Sequence, residues 1–156
     1  MLCWRLHVCR RPSVHVILSS TQEKPISNPS FVRVLIVDDF DAWRQYVLEK
    51  LQQNPILHVV DFASDGLEAV RKALELKPDL ILLDIGLPGL CGIEAAKQIR
   101  NLLPESKIIF LTQERSTDVV QAALNSGAQG YVFKTSAECH LLAAVEAVIS
   151  GKQFVS

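Results

Sequence analysis

Val34-Leu35-Ile36-Val37-Asp38-Asp39 is the stretch that decides the fold: four apolar residues run straight into two carboxylates. The plan recurs in Leu80-Ile81-Leu82-Leu83-Asp84. A half-buried strand alternates apolar and polar residues. An unbroken apolar run of this length suits a strand covered on both faces, as in a parallel sheet. Ligands of open α/β sheets bind beyond the carboxyl ends of the strands. Asp38, Asp39 and Asp84 therefore fall where a ligand would sit. Three carboxylates gathered there are costly unless a cation joins them, and oxygen-only ligands suit a hard ion such as Mg2+.

Two more runs end in chemistry of the same kind. Ile108-Ile109-Phe110-Leu111 ends in Thr112, a hydroxyl, and Tyr131-Val132-Phe133 ends in Lys134, a cation. Acids, a hydroxyl and a lysine at successive strand ends suit a phosphoryl group, with Mg2+ and Lys134 neutralising its oxygens and Thr112 donating to one of them. Asp84 is the candidate nucleophile, because carboxylates form aspartyl phosphates.

Around these strand ends, strand and helix patterns alternate five times. The expected strands are 33–38, 58–62, 80–84, 107–111 and 130–134. Helices are expected at 41–53, from the N-cap Asp65 to Pro78, and at 92–102, 116–126 and 137–150. Trp43, Tyr46, Val47 and Leu51 share helical spacing, as do Leu67, Val70 and Leu74. Asp65 with Glu68 reads as a capping box. Gly86-Leu87-Pro88-Gly89 is a loop built of turn residues, and Gly127 is a helix stop. Alternating βα units imply a parallel sheet with helices on both faces, and right-handed crossovers restrict its topology. The expected fold is a flavodoxin-like (βα)5 doubly wound α/β sandwich, strand order 2-1-3-4-5.

Asp38-Asp39, Asp84 with Leu87-Pro88-Gly89 and Gly92 behind it, Thr112, and Lys134 with Tyr131 three before it form an ordered set. Over residues 31–151 the chain resembles the receiver domain of bacterial two-component response regulators. The texture of Asp84-Ile85-Gly86-Leu87-Pro88-Gly89 is most similar to receivers that precede a LuxR-type helix-turn-helix. The resemblance implies a phosphoacceptor at Asp84, and Mg2+ held by Asp38, Asp39, Asp84 and the backbone carbonyl of Gly86. It further implies that Asp39 ligates directly and Asp38 partly through water. Lys134 and Thr112 follow the phosphoryl charge. Thr112 then vacates space, and Tyr131 turns inward to report the modification. The implied partner is a histidine kinase or phosphotransfer protein, with a homodimer on phosphorylation as a further possibility. Gly86 and Glu114 stand where the family tunes phosphoryl lifetime. Where the family usually has a proline after the lysine, this chain has Thr135.

The chain has 156 residues, enough for one domain with a sizeable core, and its 49% apolar and 21% charged content is ordinary for a globular protein. Net charge is −1, which gives no nucleic-acid footprint. Arg5, Arg10, Arg11 and Lys24 face Glu23 alone in residues 1–30, so the rest holds 12 of the 16 basic and 16 of the 17 acidic side chains. Residues 1–30 read as a flexible leader, with a Ser- and Pro-bearing linker from Ser19 to Ser30, and 152–156 as a tail. Cys3, His7, Cys9 and His15 match no structural zinc spacing, and Cys91 and Cys139 belong to no disulfide framework. No segment is long and apolar enough to span a bilayer. The expected location is the cytoplasm, away from any membrane, and no helix-turn-helix is expected within these residues, so no DNA-binding domain of the chain's own.

Two other functions compete. An aspartyl-phosphate phosphatase of the haloacid-dehalogenase kind also uses a strand-end Asp nucleophile. It normally carries a second acid two residues later, where this chain has Gly86, and a cap domain. A flavodoxin-like cofactor binder needs a phosphate-cradling loop after the first strand, where this chain has two acids that repel a phosphate. His58 and His140 have no partner placed near them by sequence and are not read as phosphodonors.

Overall fold

The computed structural model describes residues 30–156. The leader and its Cys3, His7, Cys9 and His15 lie outside the described residues. Six strands form one all-parallel sheet: β1 (Val32–Val37), β2 (Leu57–Ala63), β3 (Leu80–Leu83), β4 (Lys107–Thr112), β5 (Gly130–Phe133) and β6 (Phe154–Val155). Their order is β2-β1-β3-β4-β5-β6. The helices are α1 (Asp41–Leu51), α2 (Gly66–Leu76), α3 (Gly92–Leu102), α4 (Thr117–Asn125) and α5 (Ala137–Ile149), the last entered through a 3-10 turn at Lys134–Ser136. The expected doubly wound sandwich is present, and each expected element is found to within a few residues.

The apolar runs explain why the sheet is buried on both faces. Val34 and Ile36 of β1 point to one core, with Val47 and Leu51 of α1 and Leu141, Val145 and Val148 of α5. Leu35 and Val37 point to the other, with Ala69 and Ala73 of α2, Ile99 of α3, Ala123 of α4, and Phe110 and Tyr131. Each fully buried Leu, Ile or Val contributes about 1.5–3 kcal/mol relative to exposure. A residue of either parity left polar would open a gap in one of the two cores.

Helix α2 departs from the expected stripe. Leu67 and Leu74 are 65% and 42% exposed, while Gly66, Ala69 and Ala73 are buried and Val70 is partly so. The helix carries two interleaved stripes at helical spacing, one of large residues and one of small ones. The small one wins because α2 lies close: a Cβ on Gly66 would meet the Leu90 carbonyl oxygen at 1.9 Å. The start of α2 matches the sequence more closely. Asp65 accepts the Glu68 N–H at 2.8 Å. The Glu68 carboxylate reaches back one residue past the N-cap and accepts the Ser64 N–H at 2.8 Å.

Lys72 ties this cap to the sheet, with Asp61 and Glu68 each at 3.0 Å and the Phe62 carbonyl at 2.5 Å. The Ser64 N–H, and after it Lys72, hold the Glu68 carboxyl down at about 2, against an ordinary 4.5. A depressed carboxyl stabilises the fold above its ordinary value and loses that contribution as pH falls toward its folded value. Thermal unfolding of wild type and Glu68→Gln between pH 7 and pH 2 should therefore differ by about 1 kcal/mol near neutrality. The two curves should converge between about 4.5 and about 2. A constant offset across that window would mean that the Glu68 charge plays no part.

Residues 152–156 are not a trailing tail. Phe154 N–H donates to the Gln129 carbonyl and Ser156 N–H to the Tyr131 carbonyl, each at 3.0 Å, which adds β6 to the edge of β5. Backbone groups on an open edge strand seek partners, and Phe154 packs against the α1/α5 core, edge-on to His140 at 6.0 Å.

Candidate functional site

Parallel register brings the strand ends together: Val37 pairs with Leu83, Leu83 with Phe110, and Thr112 with Phe133. Asp38-Asp39, Asp84, Thr112 and Lys134 therefore meet at one edge of the sheet. Asp39, Asp84, Gly86, Thr112, Glu114 and Lys134 are among the residues lining a cleft of about 390 Å³ there. One carboxylate oxygen from each of Asp38, Asp39 and Asp84 lies within 4.8 Å of the others. A larger hollow, of about 490 Å³, lies beside the start of α2 between Asp65, Leu67, Arg71 and Pro88, and holds no such cluster.

The three acids differ in surroundings. Asp38 is buried; Oδ1 accepts the Phe40 N–H at 2.9 Å and Oδ2 accepts Lys134 Nζ at 2.5 Å. Burial pushes its carboxyl above the ordinary range, and the Asp84 charge adds to that, although Lys134 and the Phe40 N–H pull it down. Asp84, also buried, accepts the Ile85 N–H at 2.7 Å through Oδ1 and Lys134 Nζ at 3.1 Å through Oδ2. Asp39 is exposed and faces the cleft. One lysine thus faces three acids, and the cluster stays short of positive charge. A small hard cation fits this all-oxygen donor set and that imbalance.

Gly86 lines the cleft mouth, where a Cβ would meet nothing within 4 Å. Two residues after Asp84, where a phosphatase of the haloacid-dehalogenase kind needs an acid, there is no side chain at all. Thr112 is buried, and its Oγ1 accepts the Glu114 N–H at 3.3 Å. Lys134 opens the 3-10 turn rather than ending β5, and the described residues contain no cis peptide bond. His58 stacks on Phe31 with ring centroids 4.0 Å apart, and His140 packs beside Phe154. Cys91 and Cys139 are exposed free thiols.

Tyr131 differs from the expected resting position: its ring is already inward and 0% exposed. The phenol donates to the Glu114 carbonyl at 2.8 Å, so a buried hydroxyl has a partner in this position. Burial, with Glu114 and Asp84 nearby, pushes its acidity constant up to about 12.

Several contacts that shape the site escaped the sequence reading. Trp43, at helical spacing in α1 and just after the acidic pair, has its ring centroid 5.3 Å from Lys134 Nζ. Arg44 donates to the Asp38 carbonyl at 2.5 Å and to Asp41 at 2.9 Å, bracing the β1–α1 loop. The basic residue three after Asp41 was the available signal. Glu114 accepts the N–H groups of Arg115 and Ser116 at 3.0 and 2.9 Å, ordering the approach to α4. Gly92, quoted only as part of a motif, packs directly on the Asp84 backbone.

Known proteins resemble this chain in sequence and in fold. The model of the response regulator receiver domain family matches residues 34–146. The transcriptional regulatory protein LiaR of Bacillus subtilis is 40% identical over 121 residues, which cover 78% of this chain and 57% of that protein. The oxygen regulatory protein NreC of Staphylococcus epidermidis is 35% identical over 125 residues, 80% of this chain and 57% of its own length. The chain thus spans a little over half the length of the curated relatives it matches. Among solved structures, a LuxR-family two-component response regulator from Aurantimonas sp. SI85-9A1 aligns with TM-score 0.77 at 34% identity, covering 80% of this chain and 89% of that one. The isolated receiver domain of RcsB from Salmonella enterica, solved with the phosphomimetic BeF3-, aligns with TM-score 0.77 at 26% identity, covering 81% and 94%. The phosphatase reading finds no support among them.

Proposed function

The chain belongs to the response regulator receiver family, and on that premise we propose that Asp84 accepts a phosphoryl group from the phosphohistidine of a kinase or phosphotransfer protein. The observation that carries the assignment is the meeting of Asp38, Asp39, Asp84 and Lys134 at one sheet edge. In the transfer, an Asp84 carboxylate oxygen forms a bond to phosphorus as the P–N bond breaks. The electron pair of that bond returns to the imidazole nitrogen.

Asp38, Asp39, Asp84 and the Gly86 carbonyl are the groups that would hold Mg2+, and the ion when bound supplies charge neutralisation at the phosphoryl oxygens. Asp39 is open to the cleft, and among the described residues none hydrogen-bonds its side chain. Lys134 already spans Asp38 and Asp84, so its ammonium can follow a phosphoryl group placed on Asp84. Thr112 Oγ1 lines the same cleft and is the hydroxyl able to donate to a phosphoryl oxygen. Phosphorylation adds about 1.5 to 2 negative charges at this point. The Thr112, Glu114 and Tyr131 bonds make a path by which the added charge reaches the surface of α4 and β5. We take the receiver unit, expected over residues 31–151, to extend through β6, acting as a signalling domain rather than a turnover enzyme. Its modified surface acts on a downstream partner.

Asp39→Ala should weaken Mg2+ binding and phosphorylation together. Mg2+ titration followed by Trp43 fluorescence reads the first, since the Trp43 ring lies beside Lys134; intact-mass analysis after treatment with acetyl phosphate reads the second. A Mg2+ midpoint raised roughly tenfold or more is expected from losing a charged oxygen ligand. An unchanged midpoint would remove the acidic cluster as the cation site.

A further inference from the structure

We propose that Ser156 is a positioning residue for the phosphoryl site: from the outer edge of the sheet it holds the turn that carries Lys134. The proposal rests on the phosphoacceptor reading of Asp84 and extends it to a residue far from the acids in sequence. Ser156 N–H donates to the Tyr131 carbonyl at 3.0 Å. Its Oγ accepts the N–H of Phe133, the residue just before Lys134, at 3.0 Å. Ser136, at the far end of the turn, has its Oγ 3.3 Å from Ser156 Oγ and donates to the Phe133 carbonyl at 3.1 Å. Each hydroxyl has one proton. With Ser136 donating to Phe133, the Ser156 proton is the one left for Ser136. Phe133 N–H, Ser156 Oγ, Ser136 Oγ and the Phe133 carbonyl therefore close a ring around the start of the Lys134–Ser136 turn.

This ring matters because Lys134 has a demanding task. Its ammonium must reach Asp38 and Asp84 at once from the first residue of the turn, where the Ala137 N–H holds the Lys134 carbonyl and Phe133 fixes the direction from which the residue enters. Without Ser156 Oγ, the Phe133 N–H on the outer side of β5 would turn to water, and the entry to the turn would keep only the Ser136 hydroxyl and the turn's own Ala137 N–H to Lys134 carbonyl bond. Misplacing a group in a transfer site by about 1 Å costs up to about a hundredfold in rate, and a loosened turn costs part of that.

Simple edge closure is the rival account, and it asks only that β6 pair with β5. The two accounts separate in the Ser156→Ala and Ser156→Thr variants, both of which keep the backbone pairing, while only the threonine keeps the hydroxyl. The full chain is treated with acetyl phosphate at saturating Mg2+, labelling is followed by intact mass, and the Lys134 ammonium signal is followed by NMR. Ser156→Ala is expected to label roughly three- to tenfold more slowly, with an unchanged Mg2+ midpoint and a shifted or broadened Lys134 signal. Ser156→Thr is expected to label at the wild-type rate. Labelling of Ser156→Ala within about twofold of wild type, or a threonine variant as slow as alanine, would overturn the positioning role while leaving Asp84 in place. Undiminished labelling of an Asp84→Asn control would overturn the site reading and the positioning role with it.

Discussion

Asp84→Asn is expected to abolish phosphorylation while leaving the fold intact. The substitution keeps the shape of the side chain and its acceptor oxygen for the Ile85 N–H. It removes the anionic nucleophile, and an amide does not form a stable acyl phosphate under these conditions. One of three clustered charges also disappears, which relieves like-charge repulsion against Asp38. The melting temperature should therefore hold or rise even as labelling by acetyl phosphate or a phosphorylated kinase falls to background. Asp38 and Asp39 are the nearest alternative acceptors. Asp38 is buried against Lys134, and Asp39 is open to the cleft. Undiminished intact-mass labelling of the variant, mapped by peptide analysis to either neighbour, would move the acceptor there.

Gly92→Ala should carry the largest stability cost of any single methyl group added near the site. A Cβ at Gly92 would lie 2.0 Å from the Asp84 carbonyl oxygen, 2.8 Å from Ile85 Cα and 2.9 Å from the Asp84 carbonyl carbon. All three are backbone atoms, so no flexible side chain can yield. Either α3 moves off the sheet or the Asp84 backbone shifts, at a cost of about 2–3 kcal/mol. That outweighs the roughly 1 kcal/mol that alanine offers over glycine inside a helix, and it is a large share of the ~5–15 kcal/mol stability of a typical domain. Phosphorylation should slow as well, because the displaced backbone carries the acceptor. Gly86→Ala is the control: its Cβ meets nothing within 4 Å, so denaturant unfolding should place it within about 0.5 kcal/mol of wild type. If the two variants prove equally stable, the close approach of α3 to the Asp84 loop is not a real constraint.

The chemistry of the site was legible early because parallel βα topology turns strand ends into neighbours. Asp38, Asp39, Asp84, Thr112 and Lys134 each follow an apolar run, and a parallel sheet covered by helices buries such runs on both faces. The inward position of Tyr131 was not legible, since the ring fits either environment and the Glu114 carbonyl that receives its hydroxyl lies 17 residues away in sequence. The contact of Trp43 with Lys134 was hidden for a similar reason: helical spacing marks a face, not the ammonium that the face meets.

By itself, then, the sequence determined the element order, the doubly wound parallel sheet and the carboxylate cluster, because each follows from local periodicity and chain connectivity. The tertiary structure alone decided which stripe of α2 is buried. Large and small residues there share one period, and the choice between Leu67 with Leu74 and Ala69 with Ala73 depends on how close a neighbouring loop comes. It alone turned Phe154–Val155 into a strand. Two residues carry no periodic signal, and their pairing depends on an edge of β5 that exists only once the sheet has formed.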